Sequence, residues 1–205
     1  LKTPLAALEA QSNRARAAGA SEAADGIEHA ISAMTMAVNA ELSRLRVDSV
    51  RNNLYASASS PQEAAEQIVA VIEHTAIGES LVFDIDIPAA LNVPVPLDDL
   101  KELLGALMEN AARFARRRVC MRGQMTADNK VELVIEDDGA GVDAGTLHTL
   151  QHHGKLDEAG PGHHELGLII ARELAEATNG RMQLAHSSLG GLKIVLTWPA
   201  ALRRG

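Results

Sequence analysis

The sequence predicts an α+β protein in two parts. An N-terminal antiparallel helical hairpin, a four-helix bundle once dimeric, precedes an α/β sandwich with a mixed sheet. Three observations predict it. Ile27, Ile31, Met34, Val38, Leu42 and Leu45 recur at spacings of three and four, a heptad-like seam. Beyond residue 80, period-two runs alternate with long helical patterns. Aromatics make up only 2% of the chain, so packing rests on Ala, Leu, Ile, Val and Met, and the alanines favour close-packed helices.

The elements follow in order. Leu1, Leu5 and Leu8 mark one face of a first helix, where Pro4 is tolerated in the first turn. Ala18-Gly19-Ala20-Ser21 breaks it, and Ser21 caps the second helix with Glu22 in its first turn. A two-helix hairpin cannot bury its seam alone, so two copies pair as a homodimer; the alternative is a monomeric hairpin packed on the rest of the chain. The segment from Val47 to Ser60 contains the linker, which puts the hairpin at residues 1–56 and the second domain at residues 57–205. Pro61 opens a helix capped by Ser60, with Ala65, Ile68, Val69 and Ile72 inside. Leu81 to Ile87 alternates as a strand, and a helix spans 97–116. Strands Val119 to Met125 and Lys130 to Glu136 join through Asp128-Asn129-Lys130. A polar lid covers about Val142 to His164. A helix from Glu165 to Thr178 ends on Asn179-Gly180, and strands Arg181 to His186 and Leu192 to Trp198 close the chain around Gly190-Gly191.

Composition excludes several classes. A net charge of −8 argues against a nucleic-acid surface, and the one basic run, Arg116-Arg117-Arg118, is short enough for a solvated helix end. The lone cysteine, Cys120, precludes an intrachain disulfide and fits a reducing compartment. No apolar run approaches the roughly 20 residues of a membrane helix, and no signal peptide is visible.

Two motifs carry chemistry. Met108-Glu109-Asn110-Ala111-Ala112-Arg113-Phe114 lies on an apolar-periodic helix and places a carboxylate, an amide and a cation near one another. Arg113 sits one turn from Asn110, so both project from nearly the same face. Asp137-Asp138-Gly139-Ala140-Gly141 closes a strand with two acids and two glycines, where backbone turns tightly. In this order, with a strand between, they resemble the asparagine box and first glycine box of the ATP-binding fold shared by sensor histidine kinases, gyrase-type ATPases and Hsp90 chaperones. Leu1-Lys2-Thr3-Pro4-Leu5 resembles the tail of the histidine kinase phosphoacceptor box, His-(Glu or Asp)-Leu-(Lys or Arg)-(Thr or Asn)-Pro-Leu.

The resemblance spans essentially the whole chain and implies the catalytic core of a two-component sensor histidine kinase. Residues 1–56 would be the dimerisation and histidine-phosphotransfer hairpin, and 57–205 the ATP-binding domain. It implies ATP and Mg as cofactors, a homodimer, and a response regulator receiver domain as partner. The place implied is cytoplasmic, as the soluble part of a bacterial inner-membrane sensor. The phosphoacceptor histidine and its neighbouring acid would lie just upstream of Leu1, so this chain would bind nucleotide without phosphorylating itself. Asn110 would ligate Mg, a hard cation that takes oxygen donors, with Glu109 supporting the metal site. Arg113 would offer a cation to phosphate and Phe114 would cover the base. Asp137 would accept the adenine amino proton, with Gly139 and Gly141 letting backbone pass close; a register slip of one would give that role to Asp138. Lys155 in the lid would meet phosphate. Thr3 would orient the water that hydrolyses the regulator's aspartyl phosphate.

The chain also departs from the family. Its second glycine box, Gly-x-Gly-Leu-Gly-Leu in relatives, reads His163-His164-Glu165-Leu166-Gly167-Leu168 here. Leu166, Gly167 and Leu168 match, and both earlier glycines are replaced. A helix N-terminus offers free N–H groups to phosphate, so Glu165 puts negative charge where phosphates would lie. Ala106 stands where many relatives have a second asparagine. The lid lacks the family's phenylalanine box and carries His148, His152, His153, His163 and His164 instead, which admits a zinc reading. Two other functions are weighed against the kinase: a degenerate nucleotide site on a dimeric scaffold that docks a partner, and a related serine kinase or ATPase.

Overall fold

The computed structural model describes residues 58–152 and 163–200, with isolated positions (11, 14, 19, 20 and 26) before them. The helical hairpin of residues 1–56, its dimer seam, Thr3 and Lys155 lie outside the described residues.

The first described helix, α1 (Pro61–Ile72), starts where the sequence places it. Proline occupies its first turn, and the Ser60 hydroxyl accepts the Glu63 N–H at 3.3 Å. Strand β1 (Val82–Asp86) follows a single 3-10 turn at Gly78–Ser80. Helix α2 (Leu97–Phe114) carries Asp98 and Asp99 in its first turn and Arg113 in its last, the order its dipole favours. Leu100, Leu103, Leu104, Leu107, Met108, Ala111 and Ala112 are its buried stripe. Strands β2 (Arg118–Met125) and β3 (Lys130–Asp137) form a hairpin whose loop holds Asn129 at φ 58°, a left-handed conformation that asparagine tolerates. The segment read as a polar lid begins with a helix, α3 (Ala144–His152). Helix α4 (His163–Ala177) starts two residues earlier than the sequence suggested. It ends on Asn179 at φ 59°, with the Gly180 N–H closing on Ala175 O at 2.7 Å. Strands β4 (Arg181–His186) and β5 (Leu192–Pro199) finish the fold.

The sheet order is β1-β2-β3-β5-β4. β1 runs parallel to β2, with α2 as the crossover, and every other pairing is antiparallel. The sheet is therefore mixed, as the sequence implied. α1, α2 and α4 pack on one face against Val119, Met121, Val131, Leu133, Ile135, Ile194 and Leu196. With so few aromatics, a single indole fills the far end. Trp198 is fully buried, and its Nε1 donates to Thr178 Oγ1 at 3.0 Å, so its one polar atom is satisfied.

The opposite face carries ion pairs between neighbouring strands: Arg118 with Asp84 and Arg122 with Glu136, each at 3.4 Å. Cys120 lies between them, its thiol pushed up by burial and by the Asp84 carboxylate. No helix among the described residues is long and apolar enough to cross a membrane.

Because α2 bridges the sheet and both neighbouring helices, its stripe controls the domain's stability. Leu104 is fully buried, and Leu104→Ala is expected to lower the unfolding free energy by about 3 kcal/mol, measured by urea denaturation.

Candidate nucleotide-binding cleft

The C-terminal half of α2, the end of β3 and the segment that follows it surround a cleft of about 200 Å³. Asn110, Phe114, Asp137, Gly141 and Leu168, all singled out from sequence, line it together. Ala140, Val142, Thr146, Leu150 and Leu192 complete the wall. The lining is predominantly apolar, with an amide and a carboxylate as its strongest polar groups.

Asp137 is the deepest of them, only 3% exposed at the last position of β3. Its Oδ1 accepts the Gly139 N–H at 2.8 Å and its Oδ2 accepts the Leu192 N–H at 3.2 Å. Its own carbonyl accepts the Gly191 N–H at 3.1 Å. Burial pushes the carboxyl above the ordinary aspartate value; the two N–H donors pull the other way, and the nearby Asp138 charge adds to the rise. Each carboxylate oxygen keeps a second acceptor site for a donor in the cleft.

The glycines explain how backbone crowds this acid. A Cβ on Gly191 would fall within bonding distance of Asp137 Oδ1 and 2.5 Å from its carbonyl oxygen, so no other residue fits there without displacing the acid. Gly141 sits at φ +69°, a turn that L side chains rarely adopt, and brings the chain against the Gly190 carbonyl.

Asp138 has a different task. Its Oδ1 accepts three successive backbone N–H groups, from Arg116, Arg117 and Arg118, at 2.8, 3.0 and 3.1 Å. Burial opposes its ionisation, but those donors outweigh it and hold the carboxyl below the ordinary aspartate range. The basic run is thus the point where α2 stops and β2 begins, tied by its backbone to the strand carrying Asp137. Asp137 lines the cleft and Asp138 does not.

On α2, the partner of Asn110 in the cleft is Phe114, four residues on. Glu109 and Arg113, the other i,i+4 pair, are exposed and do not line it. At about 100° per residue, positions 109 and 113 fall nearly opposite the stripe centred on Leu104 and Ala111, while 110 and 114 flank it. Among the described residues no ion pair joins Glu109 to Arg113. Gly139 donates to the acid rather than forming wall. Gly167 faces Ala106 of α2, and a Cβ added there would meet the Ala106 carbonyl oxygen at 3.5 Å, an ordinary van der Waals contact. The side chains of Leu166, Glu165, His148, His152, His163 and His164 lie outside the described residues. Among those described, no group of three or more His, Cys, Asp or Glu could hold a metal ion.

Sequence reasoning missed the contribution of α3. Asp143 caps it, accepting the N–H groups of Gly145 and Thr146 at 2.9 and 3.0 Å and the Thr146 hydroxyl; that hydroxyl and those N–H groups hold its carboxyl low. At the other end an Arg172 guanidinium N–H from α4 donates to Leu150 O. The helix thereby presents Thr146 and Leu150 to the cleft. The legible signal was Asp143 followed three residues later by Thr146, a capping pattern ahead of Leu147 and Leu150.

The histidine kinase-, DNA gyrase B- and HSP90-like ATPase family matches residues 96–202, from the start of α2 through β5. The chain belongs to this family. Its ATP-binding domain is of the sensor histidine kinase kind. The sensor protein kinase CarS of Pseudomonas aeruginosa is 30% identical over 202 residues, which is 97% of this chain and 44% of that protein. The two-component sensor PhoQ of the same organism is 29% identical over 193 residues, 93% of this chain and 42% of that protein. The chain therefore spans less than half the length of these relatives. Among solved structures, the mycobacterial sensor histidine kinase MprB shares the fold with a TM-score of 0.58 at 19% identity, over 70% of this chain and 96% of that one.

The Asp138 anchor carries a pH signature in this ATPase domain. A carboxyl whose folded pKa is depressed adds stability above its unfolded pKa and loses it as pH falls through the folded value. The stability gap between wild type and Asp138→Asn in urea denaturation is expected to hold from neutral to mildly acid pH. It should then close below the ordinary aspartate value.

Proposed function

We propose that the chain is the catalytic core of a two-component sensor histidine kinase. It binds Mg-ATP in the cleft for phosphorylation of a histidine upstream of Leu1, as a homodimer, with onward transfer to a response regulator. The observation that carries this reading is the meeting of Asn110 and Asp137 on one apolar cleft. A buried carboxylate with spare acceptor sites suits an exocyclic amine donor, and apolar walls at Val142, Leu150 and Leu168 suit a flat base. An amide oxygen suits a cation already carrying phosphate and water ligands, since Mg uses few protein donors.

Bound Mg-ATP would supply the phosphoryl group, and the protein's part is positioning and charge stabilisation. Asp137 accepts the base's amino proton and fixes its depth. Phe114, half-exposed at the end of α2, covers the base. Asn110 gives its amide oxygen to the metal, with Glu109 adding negative charge one residue away. Arg113, exposed just before Phe114, offers its guanidinium to phosphate from outside the cleft. Gly141 shapes the floor, Gly139 holds the acid through its N–H, and Leu166, Gly167 and Leu168 bring the start of α4 to the phosphate side, joined by Lys155. Thr3 orients water for dephosphorylation of the regulator. We place the chain's site of action in the cytoplasm. The degenerate-scaffold reading rests on Glu165, a charge at the N-terminus that phosphates would otherwise use.

Calorimetry with an ATP analogue and magnesium tests the reading. Binding is expected, and Asn110→Ala and Asp137→Ala are each expected to abolish it with the fold intact by circular dichroism. Absence of heat at millimolar nucleotide favours the scaffold, and unchanged affinity in both variants refutes the site. Acid gives an independent check. Protonation removes the Asp137 charge and turns one of its acceptor oxygens into a donor, so affinity should fall as pH drops through its raised pKa, above the ordinary aspartate value, and Asp137→Asn should abolish that dependence.

A further inference from the structure

Glu136 and Asp137 are neighbours on β3 and point to opposite faces of the sheet. Asp137 faces the cleft, while Glu136 is 4% exposed on the far side and pairs with Arg122 at 3.4 Å. A buried carboxylate beside a solvent-facing arginine carries a desolvation cost that the kinase reading does not use. Its second oxygen shows what it holds. Ser187 Oγ, in the turn between β4 and β5, donates to Glu136 Oε1 at 3.1 Å, and Ser187 itself is 8% exposed.

That hydroxyl also accepts the Leu189 N–H at 3.0 Å, so one atom fastens the turn to itself and to β3. Within the turn, Gly190 N–H donates to Ser187 O at 3.1 Å and Ser187 N–H donates to Gly191 O at 2.9 Å. The next two N–H groups of the chain, from Gly191 and Leu192, are those that reach the Asp137 carbonyl and carboxylate. The path is continuous: Arg122 to Glu136, to Ser187, through a four-residue turn, to the donors that aim Asp137.

We propose that Ser187 is a positioning residue for base recognition: by fastening the β4–β5 turn to Glu136 it fixes the Leu192 N–H, and with it the rotamer in which Asp137 accepts an amino proton. This rests on the nucleotide reading above and adds to it where base selectivity is set. The ligand chemistry it selects is a purine with an exocyclic amine, as against one with a carbonyl at the same position. A carbonyl turned toward the carboxylate would leave two acceptors facing each other unpaired, which a well-aimed Asp137 rejects and a wandering one tolerates.

The test compares ADP with IDP, each with magnesium, by calorimetry on the full chain. They differ at that substituent and in the N1 proton that IDP carries beside it. Wild type is expected to favour ADP. Ser187→Ala is expected to lower ADP affinity about tenfold while leaving IDP nearly unchanged, the size of one misaligned hydrogen bond. Ser187→Thr, which keeps the hydroxyl, should restore the preference. A purely structural serine would weaken both ligands alike, so an unchanged ADP-to-IDP ratio in Ser187→Ala overturns the inference while ADP binding by wild type stands. A wild type that binds neither overturns the nucleotide reading and this inference with it, whereas equal binding of both overturns this inference alone. Should Ser187→Ala not fold, Glu136→Leu cuts the same hydrogen bond from the sheet side; a retained ratio there is equally fatal.

Discussion

The domain is organised around one buried carboxylate held where a strand runs out. Asp137 sits at the last paired position of β3, where the ladder no longer claims the neighbouring N–H groups and the side chain can take them instead. Leaving such a group unpaired in an apolar cleft would cost about 1–3 kcal/mol or more. Gly139 and Leu192 remove most of that cost. The backbone can come so close only because Gly191 has no side chain. A fixed acceptor in an apolar cleft is worth more to a ligand than the same group in water, because it needs no reorganisation when the donor arrives.

The two neighbouring acids each serve the same end by different means. Asp138 gathers three backbone N–H groups at the junction of α2 and β2 and so locks the helix bearing Asn110 and Phe114 to the strand bearing Asp137. Glu136 reaches the other face and fastens the turn that supplies Leu192. Three consecutive carboxylates thus fix three different pieces of backbone around one cavity. The repulsion between Asp137 and Asp138 is tolerated because each finds N–H donors on a separate side.

Much of this was legible in the sequence, for reasons that can be named. The stripe from Leu100 to Ala112 and the alternation in β1, β3 and β5 report burial directly, so the helix, the strands and the mixed sheet could be read from periodicity. Asn110 and Asp137 stood out because their motifs, in that order with a strand between, resemble the asparagine box and first glycine box of the family. The assignment of faces on α2 was harder. Residues three apart and four apart on a helix are both neighbours, and only the position of the stripe shows that Asn110 looks into the cleft with Phe114 while Arg113 shares its face with Glu109. Helix α3 was hidden because Ala144 and Gly145 dilute its apolar pattern, and its stability comes from Asp143 and Arg172 rather than from its own sequence.

The short length of α3 has a mechanical consequence. Nine residues cannot hold a helix in isolation, so α3 exists by virtue of a cap at one end and a guanidinium from α4 at the other. Leu147 and Leu150 rest on the core, and Thr146 and Leu150 face the cleft. Among the described residues one wall of the cleft is therefore tethered at its two ends by Asp143 and Arg172, while the opposite wall is built on β3 and α2, the most deeply buried elements of the domain. The wall on β3 and α2 carries the groups to which the proposed function gives recognition, Asp137 and Asn110, and the tethered wall carries mainly apolar surface. On the proposed function, a ligand would be read by fixed donors and acceptors on one wall, and the placement of the other wall depends on the hydrogen bonds made by Asp143 and Arg172.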